Sequence, residues 1–159
     1  MPIRFCLLCL FAVFLSCGGS RGSISLRSSS LRPSFDIHGR QELQWIWFQG
    51  PYKNRIDGGP EPPPSSDPKR IILWEIHPPD SRFIPMDQIP LLTYGQLPSG
   101  WKQKFPAGGS APEALKDGYV YSVQIVSAIG PDLKMCIAIK NGQVSQYQEA
   151  GENLICGKK

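Results

Sequence analysis

Hydrophobic and polar residues alternate along this chain in short runs separated by glycine and proline. Strict alternation with such punctuation is typical of β-strands. The pattern predicts six strands, at residues 42–49, 70–77, 89–94, 119–128, 133–140 and 143–148. Short strands with frequent turns favour an all-β domain, and we expect a small antiparallel β-sandwich with immunoglobulin-like architecture. A partly open barrel is the alternative.

Two local motifs refine this pattern. Asn141 and Gly142 lie between the last two predicted strands, and both tolerate the positive φ of a two-residue type I′ turn. Such a hairpin pairs Ile139 with Val144. Residues 110–113 (SAPE) resemble a capping box, which predicts one helical turn through Lys116.

The N-terminus carries a pattern of export. An apolar run at residues 5–15 follows a single positive charge at Arg4. A helix of this length covers only about half of a bilayer core. The run therefore matches the hydrophobic region of a signal peptide, and no later stretch is apolar enough to span a membrane. We expect residues 1–16 to be removed on export.

Residues 13–17 (VFLSC) resemble the lipobox of bacterial lipoproteins. This resemblance implies that Cys17 is acylated and becomes the new N-terminus, although the family most often has leucine at the position of Phe14. The alternative is an ordinary signal-peptidase cut after Gly18, which would discard Cys17 and release a secreted domain without lipid.

The segment after Cys17 is rich in serine, arginine and glycine and contains no acidic residue up to residue 34. Such a composition buries little apolar surface and predicts disorder. We therefore expect a lipid anchor and tether over residues 17–38, followed by the β-sandwich-like domain over residues 39–159.

Composition excludes several classes of function. The formal net charge is only +4, and no dense lysine and arginine run with interleaved aromatic residues is present. A nucleic-acid partner is therefore not expected. No phosphate-binding glycine loop with GxxxxGK[ST] spacing occurs, and we expect no cofactor.

Catalytic candidates are few. Glu75 and His77 are two residues apart on a predicted strand and therefore share a face. Together with His38, these two residues could supply three ligands to a metal ion, but no HExxH or CxxC spacing is present. A hydrolase with His77 as base would lack the GxSxG motif. We therefore expect no metal site and no enzyme, with a hydrolase using His77 and Glu75 as a weak alternative.

The four tryptophans raise the hypothesis of sugar binding. Trp45, Trp47 and Trp74 lie in apolar strands, which predicts that they pack in the core. Trp101 lies in a loop rich in glycine and proline beside Lys102. The sequence therefore favours Trp101 as the exposed aromatic residue that contacts a ligand or partner.

Cys136 and Cys156 are the two cysteines that remain when the signal is removed and Cys17 carries lipid. Export places them in an oxidising compartment, where an even pair usually forms a disulfide. The hairpin would bring Tyr147 opposite Cys136, so the residues after Tyr147 could return Cys156 to that strand. We expect a Cys136–Cys156 disulfide. By closing the loop between the two cysteines, it would stabilise the folded state by about 3 kcal/mol.

Residues 94–101 (YGQLPSGW), followed by Pro112, Leu115, Gly118 and Tyr119, resemble a pattern in small uncharacterised bacterial lipoproteins. The resemblance covers residues 70–145 at most and implies no activity. With the lipobox, it implies a lipid-anchored protein of the cell envelope, on the periplasmic side of the outer membrane in a Gram-negative host. We expect a binding or structural module for an envelope protein or glycan, and a secreted binding domain is the alternative.

Overall fold

The computed structural model describes residues 22–53, 72–89 and 91–147. Within these ranges the chain forms ten strands and no α-helix. The strands are β1 (Ser23–Ser28), β2 (Ser34–His38), β3 (Glu42–Lys53), β4 (Ile72–His77), β5 (Ile84–Pro85), β6 (Leu91–Thr93), β7 (Lys102–Phe105), β8 (Tyr119–Ser127), β9 (Leu133–Lys140) and β10 (Gln143–Tyr147). Short 3-10 turns lie at Pro79–Ser81, Met86–Gln88 and Ala107–Gly109. The predicted all-β class is confirmed, with ten described strands in place of about six.

The strands form two antiparallel sheets. The small sheet has the order β1-β2-β6, and the large sheet has the order β10-β9-β8-β3-β4-β7, with β5 paired to β3. One apolar core contains side chains from both sheets, which is consistent with the predicted β-sandwich. Its central members are Phe35, Ile37 and Leu92 from the small sheet, and Ile46, Phe48, Trp74, Ile76, Val123, Ile125 and Ile137 from the large sheet.

The first two strands lie in the segment that composition predicts to be a disordered tether. Ile24 and Leu26 of β1 alternate with exposed residues and pack against the core. Phe35 and Ile37 of β2 are fully buried and pair with β1. The folded domain therefore includes residues 23–38, and the tether boundary at residue 38 is wrong. The alternating apolar positions outweigh the polar composition, because each of them adds buried area to the core.

A bulge in β3 decides which tryptophans enter the core. The pairing of β3 with β8 shifts by one residue between Leu43 and Trp45. Leu43 is therefore fully buried in the core, although it is only two residues from Trp45. Beyond the bulge, Ile46 and Phe48 point into the core. Trp45 and Trp47 consequently lie on the outer face of the large sheet, away from the small sheet.

The predicted hairpin is confirmed. Asn141 and Gly142 both have positive φ, at 53° and 70°, as a type I′ turn requires. Ile139 pairs with Val144, and Cys136 pairs with Tyr147. The turn is also tied to the neighbouring loop, because the backbone N–H of Gly142 donates to Oδ1 of Asp117 at 2.9 Å.

The helical turn predicted at residues 110–116 is wrong. These residues have no regular secondary structure. Two buried tyrosines hold the segment instead. The hydroxyl of Tyr94 donates to the carbonyl of Glu113, and the backbone N–H of Lys116 donates to the hydroxyl of Tyr121, both at 2.7 Å. These tertiary contacts outweigh the local capping signal.

The same tyrosines predict a loss of stability in alkaline solution. Burial, followed by the nearby charges of Tyr121 and Glu113, raises the pKa of Tyr94 well above its ordinary value. Burial also raises the pKa of Tyr121, against the lowering effect of its hydrogen bond to Lys116. The folded state thus holds these protons more tightly than the unfolded state, where a tyrosine titrates at about pH 10. Their contribution to stability is complete below that pH and is lost as the pH rises above it.

We therefore expect the free energy of unfolding, measured by denaturant titration, to fall steeply above about pH 10. Tyr94→Phe removes one of the two protons, so it should flatten this fall, even though the variant is less stable at neutral pH. Tyr119→Phe is the comparison: Tyr119 is exposed, and its charge only contributes to the raised pKa of Tyr121, so this variant should flatten the fall less than Tyr94→Phe. Equal slopes for Tyr94→Phe and the unaltered protein would contradict the assignment.

Candidate functional site

The structure reverses the predicted roles of the tryptophans. Trp101 is only 7% exposed and belongs to the core, so its predicted exposure is wrong. Its loop folds inward through a hydrogen bond from the backbone N–H of Trp101 to the carbonyl of Pro98. Trp74 is fully buried, as predicted. Trp45 and Trp47 are half-buried on the outer face of the large sheet, so their predicted place in the core is also wrong.

Trp45 and Trp47 belong to an aromatic cluster on this outer face. Their ring centroids lie 5.6 Å apart with the planes tilted by 43°. The imidazole of His77 stacks on Trp45, with centroids 5.8 Å apart and an interplanar angle of 23°. Nε2 of His77 and Oε1 of Glu75 are 2.6 Å apart and share a hydrogen bond. The sequence prediction that Glu75 and His77 share a face is therefore confirmed.

Sheet register extends the cluster into a row of aromatic and polar residues across the strands. Trp47 of β3 pairs with Glu75 of β4 on one side and with Gln124 of β8 on the other. Gln124 in turn pairs with Lys134 of β9, and Glu75 pairs with Phe105 of β7. Residues paired directly across a sheet point to the same side. We name the surface formed by Trp45, Trp47, Glu75, His77 and Gln124 the tryptophan face.

Most groups of the tryptophan face have fixed positions. The amide nitrogen of Gln124 donates to Oδ2 of Asp132 at 2.9 Å, and the same carboxylate accepts from the backbone N–H of Ser127. Glu75 is held by His77, which is itself held by the ring of Trp45. Side chains fixed by their neighbours lose little conformational entropy when a ligand binds. The face is therefore pre-organised.

Buried polar atoms without a hydrogen-bond partner concentrate on the same side of the large sheet. Among the described residues five side chains carry such an atom. Four of the five point to this side: they are Nε1 of Trp45, Nε1 of Trp47, Oε1 of Gln49 and Oγ of Ser122. A buried polar group left unpaired costs about 1–3 kcal/mol. Water or a polar ligand is the usual partner for such groups.

The geometry gives limited support to catalysis. Glu75 can orient His77, as a base and its partner require. Among the described residues, however, no hydroxyl or thiol hydrogen-bonds to His77, whose one polar contact is Glu75. Within the same ranges, no group of three or more histidine, cysteine, aspartate or glutamate side chains is placed to hold a metal ion. His38 lies on β2 of the small sheet, apart from the other two residues.

The predicted lipid and disulfide residues fall largely outside the described ranges. This applies to Cys17 and Cys156. Cys136 is described: it is 2% exposed on β9, where Val120 and Ala138 pack beside it. Cys136 also interacts with another residue. In the described part of the chain, no helix has both the length and the apolar character needed to cross a membrane.

Comparison with protein-family models, with curated proteins and with solved structures finds no match to this chain.

Proposed function

We propose that the chain is a non-catalytic binding domain of the bacterial cell envelope that binds a glycan through the tryptophan face. The observation that carries this proposal is the outward placement of Trp45 and Trp47. The domain buries Trp74 and Trp101 in the core but leaves these two indoles half-buried on the outer face of the large sheet. Trp45 stacks with His77, and Trp47 pairs across the strands with Glu75. Half-buried aromatic rings that cluster on the outer face of a sheet, outside the core, favour a binding role.

A glycan fits this face better than a protein does. The rings of pyranose sugars have flat apolar faces that stack on indoles, and their edges carry hydroxyl groups that both donate and accept hydrogen bonds. The tryptophan face offers the same mixture, since the indole of Trp47 lies between Glu75 and Gln124 across the strands. The buried polar atoms without a partner on the same side of the sheet could form hydrogen bonds with the hydroxyl groups of a sugar. The core of a protein interface is instead usually depleted in charged residues.

We also propose that the chain is exported, anchored by a lipid on Cys17 and cross-linked by a disulfide. Acylation of Cys17 would tether the domain to a membrane, with β1 beginning only a few residues later. A Cys136–Cys156 disulfide would join the C-terminal residues to β9. The pairing of Cys136 with Tyr147 supports it, because the chain after Tyr147 starts beside Cys136. The secreted form without lipid remains the alternative.

Substitution of the two outer tryptophans tests glycan binding. We expect Trp45→Ala and Trp47→Ala each to weaken binding by about two- to tenfold, since an aromatic contact contributes about 0.5–1.5 kcal/mol beyond its buried area. The measurement is co-sedimentation with purified peptidoglycan, together with calorimetry using oligomers of β-linked N-acetylglucosamine. Tyr119→Ala is the matched control, because Tyr119 is an exposed aromatic residue on the opposite face of β8 from Gln124. Unchanged binding in both tryptophan variants, or an equal loss in the Tyr119 variant, would refute the proposal.

Intact-mass spectrometry of the processed protein tests the anchor and the disulfide together. We expect an N-terminus at Cys17 with added acyl chains, and no thiol that reacts with an alkylating reagent before reduction. An unmodified N-terminus at Gly19 would exclude the lipid anchor. Two alkylated cysteines in the unreduced, folded protein would exclude the disulfide.

A further inference from the structure

A concave site lies at the edge of the core, where two loops meet around Tyr94. One wall is the loop between β1 and β2, with Leu31 and Arg32, and the other is the segment from Ala111 to Ala114. The cavity between them has a volume of about 180 Å³. Tyr94 packs against Phe48, which points to the opposite side of β3 from Trp47. This site, which we name the Tyr94 cleft, is therefore separate from the tryptophan face.

Tyr94 fixes both walls of the cleft. Its backbone N–H donates to the carbonyl of Pro33 at 3.0 Å, which holds the first wall. Its hydroxyl donates to the carbonyl of Glu113 at 2.7 Å, which holds the second. A tyrosine hydroxyl is a donor at physiological pH even at its ordinary pKa of about 10, and burial raises the pKa of Tyr94 further. The ring itself is fixed by Phe48 at 4.7 Å and by Trp74 at 5.8 Å.

The cleft has an apolar lining and a charged rim. Leu31, the ring of Tyr94 and Pro112 contribute apolar surface. Arg32 lines one wall and Glu113 lines the other, and both residues are exposed. Neither side chain forms a hydrogen bond or ion pair in the described structure. A cation and an anion on facing walls are thus both available to a ligand.

We propose that the Tyr94 cleft binds a free amino acid with an apolar side chain. Arg32 would take the ligand's carboxylate, Glu113 its ammonium group, and the lining its side chain. A guanidinium suits a carboxylate because its N–H donors match the two oxygens. The volume supports a ligand of this size, since it is smaller than the roughly 300–1,000 Å³ of pockets for drug-sized molecules. An oligosaccharide or a folded partner would not fit inside it.

Three forms of leucine test the proposal by calorimetry and NMR titration. Free L-leucine carries both charges, N-acetyl-leucine lacks the ammonium group, and leucine amide lacks the carboxylate. We expect free leucine to bind about tenfold more tightly than either blocked form, because each blocked form loses one charge-assisted contact. Equal binding of all three forms, or no binding of free leucine at millimolar concentration, would overturn the proposal.

Two rim variants assign the contacts. Arg32→Gln should abolish the preference for free leucine over leucine amide, whereas Glu113→Gln should abolish the preference over N-acetyl-leucine. Arg27→Gln is the control, because Arg27 is an exposed arginine that is already paired with Asp36. Retention of both preferences in the rim variants would overturn the assignment. Glycan binding should be unchanged in all three variants, so failure here is distinguishable from failure of the tryptophan face.

Discussion

Replacing Trp74 with alanine is expected to lower the free energy of unfolding by about 3–5 kcal/mol, the usual range for truncating a buried tryptophan. Trp74 is fully buried in the centre of an aromatic group. Its ring centroid lies 5.7 Å from that of Phe48 and 5.8 Å from that of Tyr94. Its Nε1 donates to Oε1 of Gln103 at 2.8 Å, which links β4 to the edge strand β7. The substitution removes both the packing and the link.

Two companion variants separate these contributions. Trp74→Phe keeps most of the ring but leaves Oε1 of Gln103 without its donor, and it should cost about 1–3 kcal/mol. Trp45→Ala should cost less than Trp74→Ala, because Trp45 is half-exposed. The measurement is chemical denaturation of all three proteins under the same conditions. A loss in Trp45→Ala equal to that in Trp74→Ala would contradict the placement of Trp45 on the outer face.

Polar substitution of the inward side of β1 is expected to destabilise the domain by about 2–4 kcal/mol. Ile24 and Leu26 are half-buried and pack against the core. Fully burying an aliphatic side chain contributes about 1.5–3 kcal/mol, and asparagine at these positions also brings an amide towards an apolar surface. The double variant Ile24→Asn/Leu26→Asn should therefore unfold at a lower denaturant concentration than the unaltered protein.

The control for β1 lies on the same strand. Ser23 and Ser25 are exposed and alternate with the two apolar residues, so Ser23→Asn/Ser25→Asn should change stability by less than about 0.5 kcal/mol. A disordered tether would make the two double variants equally harmless. Equal denaturation midpoints for the two double variants would therefore show that this segment is a disordered tether and that β1 is not part of the folded domain.

Strands with a clear alternation or a diagnostic turn could be predicted from the sequence. The Asn141–Gly142 turn set the pairing of Ile139 with Val144, because few residue pairs tolerate its positive φ values. The central strands β3, β4, β8 and β9 were also predicted, since their apolar positions recur with period two. Each of these signals depends only on neighbouring residues, so it can be recognised from the sequence alone.

The remaining strands depend on partners that are distant in sequence. β7 consists of Lys102–Phe105, which is mostly polar, and it is a strand because Gln103 bonds to Trp74 and the backbone pairs with β4. The composition of β1 and β2 favours disorder, and their pairing with each other makes them strands. Tertiary context decides such segments, and strand propensity alone does not reveal it.

The tryptophan face could be predicted only in part. Glu75 and His77 were correctly placed on one face by their spacing. The outward position of Trp45 and Trp47 was missed because both sides of β3 carry bulky residues, so the alternation does not say which side is the core. The bulge after Leu43 changes which side of the strand faces the core, and no sequence motif predicts this bulge. Trp101 was misplaced because a loop rich in glycine and proline usually lies on the surface.

The indole N–H signals of the four tryptophans give the most direct test of glycan binding at the tryptophan face. The measurement is an NMR titration of the labelled protein with a panel of soluble β-linked oligosaccharides, including N-acetylglucosamine oligomers. Our account predicts that a binding sugar shifts the signals of Trp45 and Trp47 and leaves that of Trp74, which is bonded to Gln103, unchanged. Shifts confined to Trp74 and Trp101, or no shift of Trp45 or Trp47 with any sugar of the panel, would contradict it.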